Sequence, residues 1–315
     1  MTDAGLTVRA ATDDDYEDVV AFTRNTWPER ETGDYLADVF HDWIAKESAK
    51  TAVAVDEDAV AGILQCTFLS DREAWLQGMR VDPDHRGRGV GSLLVEHLFD
   101  WARSEGATVA RNMVFSWNQA GLGQSRATGF EPTTEFRWLE PDPDPAAEGP
   151  LDATTDPDAA WQYWQQSAAR DHLRGLALAP EESWAVRELT REDFRDAADE
   201  TAAFGVTDGD GARAATFRVR DYEREVEDGE SGASDDSADA ATTEHVAEYG
   251  VGAWADVPAL ETLVAAIKRD AAAIGADRTR VLIPETVRHV SDGAAVRAGI
   301  SDHPDFVLSA DLTGR

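Results

Sequence analysis

Two periods of apolar residues run through the chain. In SLLVEHLFDWARSEGA (92–107) they fall at 93, 94, 95, 98 and 101, the spacing of one helical face. TAVAVDEDAVAGILQCTF (51–68) reads instead as two apolar strands around an acidic turn, and TAAFGVTDGDGARAATFRV (201–219) repeats that form around a glycine-containing turn. RAATDDDYEDVVAF and LDATTDPDAAWQYW each pass from a short strand through an N-cap, Thr12 or Thr155, into an amphipathic helix. Pro157 suits the first turn of the second helix.

These elements recur in order, so the second half retraces the first in pattern rather than identity. LVEHLFDWARSEGATVARNMV aligns with LVAAIKRDAAAIGADRTRVLI without a gap at an offset of 169, placing Gly106 on Gly275. At an offset of 170, Gly129-Phe130 matches Gly299-Ile300 and Phe136 matches Phe306. A duplicated α/β domain is expected, with a first domain at 1–140, a proline-rich acidic linker EPDPDPAAEGP ending at 150, and a second domain at 151–315. VEDGESGASDDSADAATTE (226–244) has almost no apolar content and predicts a disordered acidic insertion within a hairpin.

Candidate chemistry concentrates in VDPDHRGRGVGSLL (81–94), where glycines 87, 89 and 91 alternate ahead of a helix. Glycine reaches backbone angles closed to other residues, so such a loop can turn its N–H groups inward at a helix N-terminus, where anions are stabilised. Arg86 and Arg88 add positive charge, and phosphate is the ligand this chemistry suggests. A dinucleotide G-x-G-x-x-G or a P-loop G-x-x-x-x-G-K-[ST] fails on spacing. A solvated turn that needs glycine only for its shape leaves the flanking arginines unexplained.

Composition narrows the partners. The chain has 315 residues, 42% hydrophobic, with a formal net charge of −33 and lysine only at 46, 50 and 268. That balance argues against nucleic acid. It fits first a surface built for concentrated salt, where self-repulsion is screened, and only then a cationic substrate or partner. Cys66 is the single cysteine and reads as a buried strand residue, while the seven histidines never adopt a metal-ligand spacing, so neither a disulfide nor a metal is expected. The chain shows neither a signal-peptide pattern nor a long uncharged apolar run, so the expectation is a cytoplasmic protein without a membrane partner.

The sequence R86-G-R-G89-V-G91 has the Q/R-x-x-G-x-G/A form of the GCN5-related N-acetyltransferase (GNAT) superfamily, which residues 6 to 140 resemble. "WLQGMRVDPDHRGRGVGSLLVEHLFDWARSEGA" is similar to that family's fourth strand, pyrophosphate loop and following helix, and "RNMVFSWNQAGLGQSRATGFEP" to its fifth strand and the next helix. The resemblance implies two tandem GNAT-like domains, each a mixed, mostly antiparallel sheet flanked by helices. It also implies acetyl-CoA as co-substrate, with the pyrophosphate on Arg86, Gly87, Arg88, Gly89, Val90, Gly91 and Ser92. The pantetheine would pair along Met79, Arg80 and Val81, near Asn118, and an amide near Met79 or Arg80 would meet the oxyanion. A primary amine, on a small molecule or a protein, then attacks the thioester directly.

Two positions depart from the family. Ser125 stands where many relatives carry a tyrosine as general acid, and a serine hydroxyl is shorter and far less acidic than a phenol. Glu73 approaches the fourth strand where some relatives place a general base, but a strand-edge surface glutamate is the preferred reading there. In the second domain the 169 offset puts Ala255, Asp256, Pro258 and Leu260 on Arg86, Gly87, Gly89 and Gly91, and each change opposes phosphate binding. That domain is expected to be a degenerate copy kept for structure, for lining the acceptor site, or for pairing its sheet with the first domain. A non-catalytic acyl-CoA sensor or scaffold is the alternative reading, and a third has the acidic insertion dock a basic partner. Trp27, Tyr35 and Trp43 are candidate acceptor-pocket residues or plain core; the acceptor's identity and the choice between monomer and homodimer stay open.

Overall fold

The computed structural model describes residues 5–24, 34–226 and 242–314, and the chain divides into two compact units. One is Met1–Pro132 with Val307–Arg315, the other Thr133–Phe306. The first runs β1 (Leu6–Ala10), α1 (Tyr16–Thr23), α2 (Leu36–Ala45), β2 (Ala49–Asp56), β3 (Ala59–Ser70), β4 (Glu73–Val81), α3 (Val90–Ser104), β5 (Val109–Phe115) and α4 (Gln119–Ala127). Its strands lie side by side in chain order, antiparallel except for β4 with β5. Residues 60–67 of β3 are buried without alternation, as they must be when helices cover both faces of a sheet. Val19, Leu36, Phe40 and Trp43 of α1 and α2 pack on Val53, Val55, Val60 and Ile63.

The second unit contains β6 (Glu131–Glu140), β7 (Asp152–Thr154), α5 (Pro157–Gln166), α6 (Ala168–His172), β8 (Leu176–Leu178), β9 (Val186–Glu188), α7 (Arg191–Glu200), β10 (Ala202–Asp208), β11 (Gly211–Val226) and β12 (Thr242–Tyr249). It continues with β13 (Ala253–Trp254), α8 (Val257–Ala273), β14 (Arg278–Pro284), α9 (Val287–Ala295) and β15 (Gly299–Ile300), and leads into β16 (Asp305–Asp311). Its main sheet has the order β6-β14-β12-β11-β10-β7, with β12 and β14 parallel, and β8 and β9 form a separate ribbon. Leu260, Leu263, Val264 and Ile267 of α8 pack with Tyr249, Trp254 and Ile283 as its core.

Both units are therefore mixed, mostly antiparallel sheets flanked by helices, as the family resemblance implies. The predicted 169 offset carries Val109–Phe115 onto Arg278–Pro284. Gly106 and Gly275 both follow a helix in the left-handed region, at φ 104 and 73, where only glycine is unstrained. The later alignment needs correcting. Gly129, at φ 93, has its counterpart in Arg297, at φ 59, because both donate to the last turn of a helix; Gly299 lies in β15. The cap of α5 is likewise Asp156, whose carboxylate accepts from Asp158 N–H, rather than Thr155, with Pro157 opening the helix.

The units do not divide where the sequence suggested, at residue 140. Residues 133–140 belong with the second unit, where β6 pairs β14, and residues 307–315 belong with the first. There β16 neighbours β5, and Leu312 N–H donates to Thr108 O at 2.9 Å. Each half thus gives its last strand to the other unit. Segment 141–150 has no regular element and is pinned along α8 through Asp144 N–H to Lys268 O and Arg269 to Ala147 O. Of the predicted insertion, residues 227–241 lie outside the described residues, as does Trp27. Cys66 is fully buried in β3, and burial pushes its thiol up to about 12.

Ending the chain at Phe306 removes the buried Val307, Leu308, Ala310 and Leu312 from the first unit. Each such side chain contributes roughly 1 to 3 kcal/mol by burial, so the shortened chain should melt well below the full one. An unchanged melting profile by circular dichroism would contradict the strand exchange.

Candidate functional site

Three pieces of the first unit meet at one place. The first is the glycine loop. Pro83–His85 form a 3-10 turn capped by the Asp82 side chain, and Gly87 and Gly89 follow in the left-handed region at φ 77 and 87. α3 begins at Val90, and its first ladder bond runs from Leu93 N–H to Gly89 O at 3.0 Å. The amides of Val90, Gly91 and Ser92 therefore have no carbonyl partner inside the helix, and its first turn carries no acidic residue.

The two arginines divide the work. Arg88 donates to Asp56 Oδ2 at 2.6 Å, at the end of β2, and holds that carboxyl below its usual range. His85 sits between Asp82, at 2.8 Å, and Asp56, at 3.4 Å, so the loop is tied to the β2–β3 hairpin. Arg86 is exposed and makes no ion pair among the described residues. The structure thus gives Arg88 an anchoring partner and leaves Arg86 presented to solvent beside the helix N-terminus.

The second piece is β4. It pairs with β5 only through Glu73–Trp75 against Val109–Arg111, and the two parallel strands then part. Just beyond, the register with β3 slips: Arg80 opposes Ile63 and Gln77 opposes Gln65, so Gly78 and Met79 share the single partner Leu64. This is a β-bulge, which leaves a residue out of the ladder. Gly78 has φ +68, and a Cβ there would lie 2.2 Å from the Trp43 ring, so glycine is required on both counts. Trp43 is buried; Tyr35 is 44% exposed, and its ring lies 5.5 Å from the Arg80 guanidinium. Arg80 pairs with Asp34 at 2.6 Å and donates to Met79 O at 3.0 Å. Val81 ends the strand opposite Gly62.

The third piece is α4, capped by the Asn118 side chain, which accepts from Gly121 N–H at 2.9 Å. Gln124 reaches α3 so closely that a Cβ on Gly91 would lie 2.7 Å from Gln124 Nε2 and 3.3 Å from Met79 Sδ. Loop, bulge and α4 therefore converge at Gly91. Ser125 is 6% exposed, and its Oγ accepts from Asn112 Nδ2 of β5 at 2.9 Å, leaving the hydroxyl proton able to donate elsewhere.

The structure does not bring Glu73 to this place. Glu73 is 7% exposed, forms a buried ion pair with Arg111, and accepts from Ser70 Oγ at 2.9 Å. It opens β4 six residues before Met79, about 20 Å away at the rise of a strand. The structure thus places this base candidate in a buried ion pair at that distance from the bulge, which favours its structural reading. Sequence reasoning also missed Asp56 and His85 as loop supports, and Gln124. The Gly78 bulge had a signal, since a lone glycine inside a strand pattern marks one.

In the second unit an acidic cap stands at the start of the corresponding helix. Asp256 caps α8, accepting from Ala259 N–H at 3.1 Å, so the chain's own carboxylate occupies the helix N-terminus. It pairs with Arg213 of the β10–β11 hairpin, the Arg88–Asp56 contact with the charges exchanged. Gly252 N–H donates to Leu282 O at 2.7 Å, which stitches β14 to the chain beyond β12, where β4 and β5 part. Among the described residues, no helix is long and apolar enough to cross a membrane.

Comparison with known proteins agrees with this geometry. Residues 16–123 match the profile of the acetyltransferase (GNAT) family. The chain is 25% identical over 105 residues to histidine N-acetyltransferase of Oreochromis niloticus, covering 33% of this chain and 30% of that protein. It is 36% identical over 87 residues to the L-amino acid N-acyltransferase MnaT of Escherichia coli, covering 25% of this chain and 49% of that one. It thus spans less than half the length of either relative. A GCN5-related N-acetyltransferase from Sphaerobacter thermophilus superposes over 99% of this chain and 97% of its own, with a TM-score of 0.59 at 12% identity, a likeness of fold.

Breaking the buried pair tests the assignment of Glu73. Glu73→Gln leaves Arg111 uncompensated and should cost about 3 kcal/mol of stability in urea titration, with turnover by the folded variant unchanged. A variant that keeps its stability and loses turnover would return Glu73 to the site as a base.

Proposed function

Residues 16–123 form an acetyltransferase domain of the GNAT family, and on that premise we propose that the protein is an acetyl-CoA-dependent N-acetyltransferase acting on the amine of an amino acid. The observation that carries the reading is the meeting of loop, bulge and α4 at Gly91. The residues fit the cofactor. The free amides of Val90, Gly91 and Ser92, the left-handed Gly87 and Gly89, and the exposed Arg86 suit a pyrophosphate. The edge of β4 at Met79 to Val81, past its last pair with β5, suits an extended pantetheine arm, with Asn118 at the head of α4.

Acetyl-CoA would supply the activated acyl group: as the acceptor nitrogen bonds to the carbonyl carbon the C–S bond breaks, the sulfur leaves as thiolate, and the proton shed by the acylated nitrogen passes through solvent to that thiolate. The bulge at Gly78 and Met79 offers a backbone N–H outside the ladder to the developing oxyanion. Asn112 holds Ser125 from its acceptor side, so the serine hydroxyl donates toward the thiolate. Because an alkyl hydroxyl is less acidic than a thiol, it stabilises the thiolate by hydrogen bonding rather than by giving up its proton. With Glu73 held by Arg111, the acceptor enters already as the free amine. The amino-acid acceptors named for two relatives favour that class of amine here. The acidic Asp256 cap and the Gly252 stitch support a second unit that takes no CoA.

The absence of a phenol at position 125 favours one other reading, a non-catalytic acyl-CoA sensor. Thiol release separates the two. Steady release of CoA with a panel of L-amino acids, rising with pH as the amine deprotonates, is the expected result; tight binding without release would establish the sensor. Ser125→Ala should lower kcat about tenfold, the value of one hydrogen bond, and an unchanged kcat would remove Ser125 from the mechanism.

A further inference from the structure

Gln124 is the polar side chain that the proposed chemistry does not use. Its Nε2 is buried without a hydrogen-bond partner, although an unpaired buried amide is costly. The carboxamide lies against Gly91, past the loop amides, and beside Met79 of the bulge. These two residues belong to the two walls between which the cofactor arm would run, one from the loop and one from the strand. Gly91 has no side chain, which leaves room for the buried carboxamide, since a Cβ there would collide with it.

We propose that Gln124 is a cofactor-binding residue that donates a hydrogen bond to a pantetheine carbonyl oxygen of acetyl-CoA. The inference rests on the acetyl-CoA reading above. A pyrophosphate contact fits less well, because the amides of the loop and of the first turn already face that charge, whereas Met79 adjoins the strand edge along which an extended arm would lie. A neutral carboxamide also matches an amide carbonyl better than a dianionic group, for which this loop uses arginine.

Titration calorimetry with two probes tests the assignment: acetyl-CoA, and 3′-phospho-ADP, which keeps the pyrophosphate and lacks the arm. Gln124→Met removes the donor at similar length. It should weaken acetyl-CoA about 5- to 20-fold, the value of one hydrogen bond left unmade. Affinity for 3′-phospho-ADP should be unchanged, and the free protein should melt at the same or a higher temperature because an unpaired buried amide is gone. Gln124→Leu provides the same comparison if the methionine variant does not fold. Equal acetyl-CoA affinity in wild type and variant overturns the proposal, and so does an equal loss for both probes. Failure of the wild type to bind acetyl-CoA would instead overturn the cofactor reading on which the proposal stands.

Discussion

The parting of β4 from β5 is the constraint on which the site depends. Two parallel strands that stay paired leave no edge for a ligand; here pairing stops at Trp75 and Arg111, and a bulge at Gly78 turns β4 away. The buried Glu73–Arg111 pair lies at the closed end, so the same two strands are locked at one end and open at the other. The helix that follows β4 then points its unpaired amides at the open end, and the Arg88–Asp56 contact holds the intervening loop to the hairpin behind it.

The second unit shows what happens when the constraint is relaxed within the same architecture. A hydrogen bond from Gly252 to Leu282 continues past the last parallel pair, and Asp256 fills the helix N-terminus with a carboxylate. Its contact with Arg213 preserves the loop-to-hairpin attachment while reversing the charges. The attachment serves the fold whichever partner carries the positive charge, so both units keep it while the charge beside the helix N-terminus differs.

Much of this was legible in the sequence because it is local. Alternating glycines and hairpin turns follow from backbone geometry within a few residues of each signal, and the 169 offset is those local patterns recurring in order. What could not be read depends on distant partners. Glu73 looks like a surface strand residue until Arg111, 38 positions on, arrives beside it. The strand exchange is invisible because β6 and β16 satisfy the same pattern in either unit, and a pattern does not name its partner. Gly299 aligned with Gly129 by identity, although the left-handed position falls on Arg297, where no glycine advertises it. Gln124 had no signal, since its meaning lies in its contact with Gly91.

The central claim is a single working cradle, in the first unit. Titration of acetyl-CoA into wild type, Arg86→Glu and Asp256→Arg, in dilute buffer and in molar salt, tests it most directly. The account predicts one site per chain, lost in Arg86→Glu and retained unchanged in Asp256→Arg. Two sites, or a single site that survives Arg86→Glu, would contradict it.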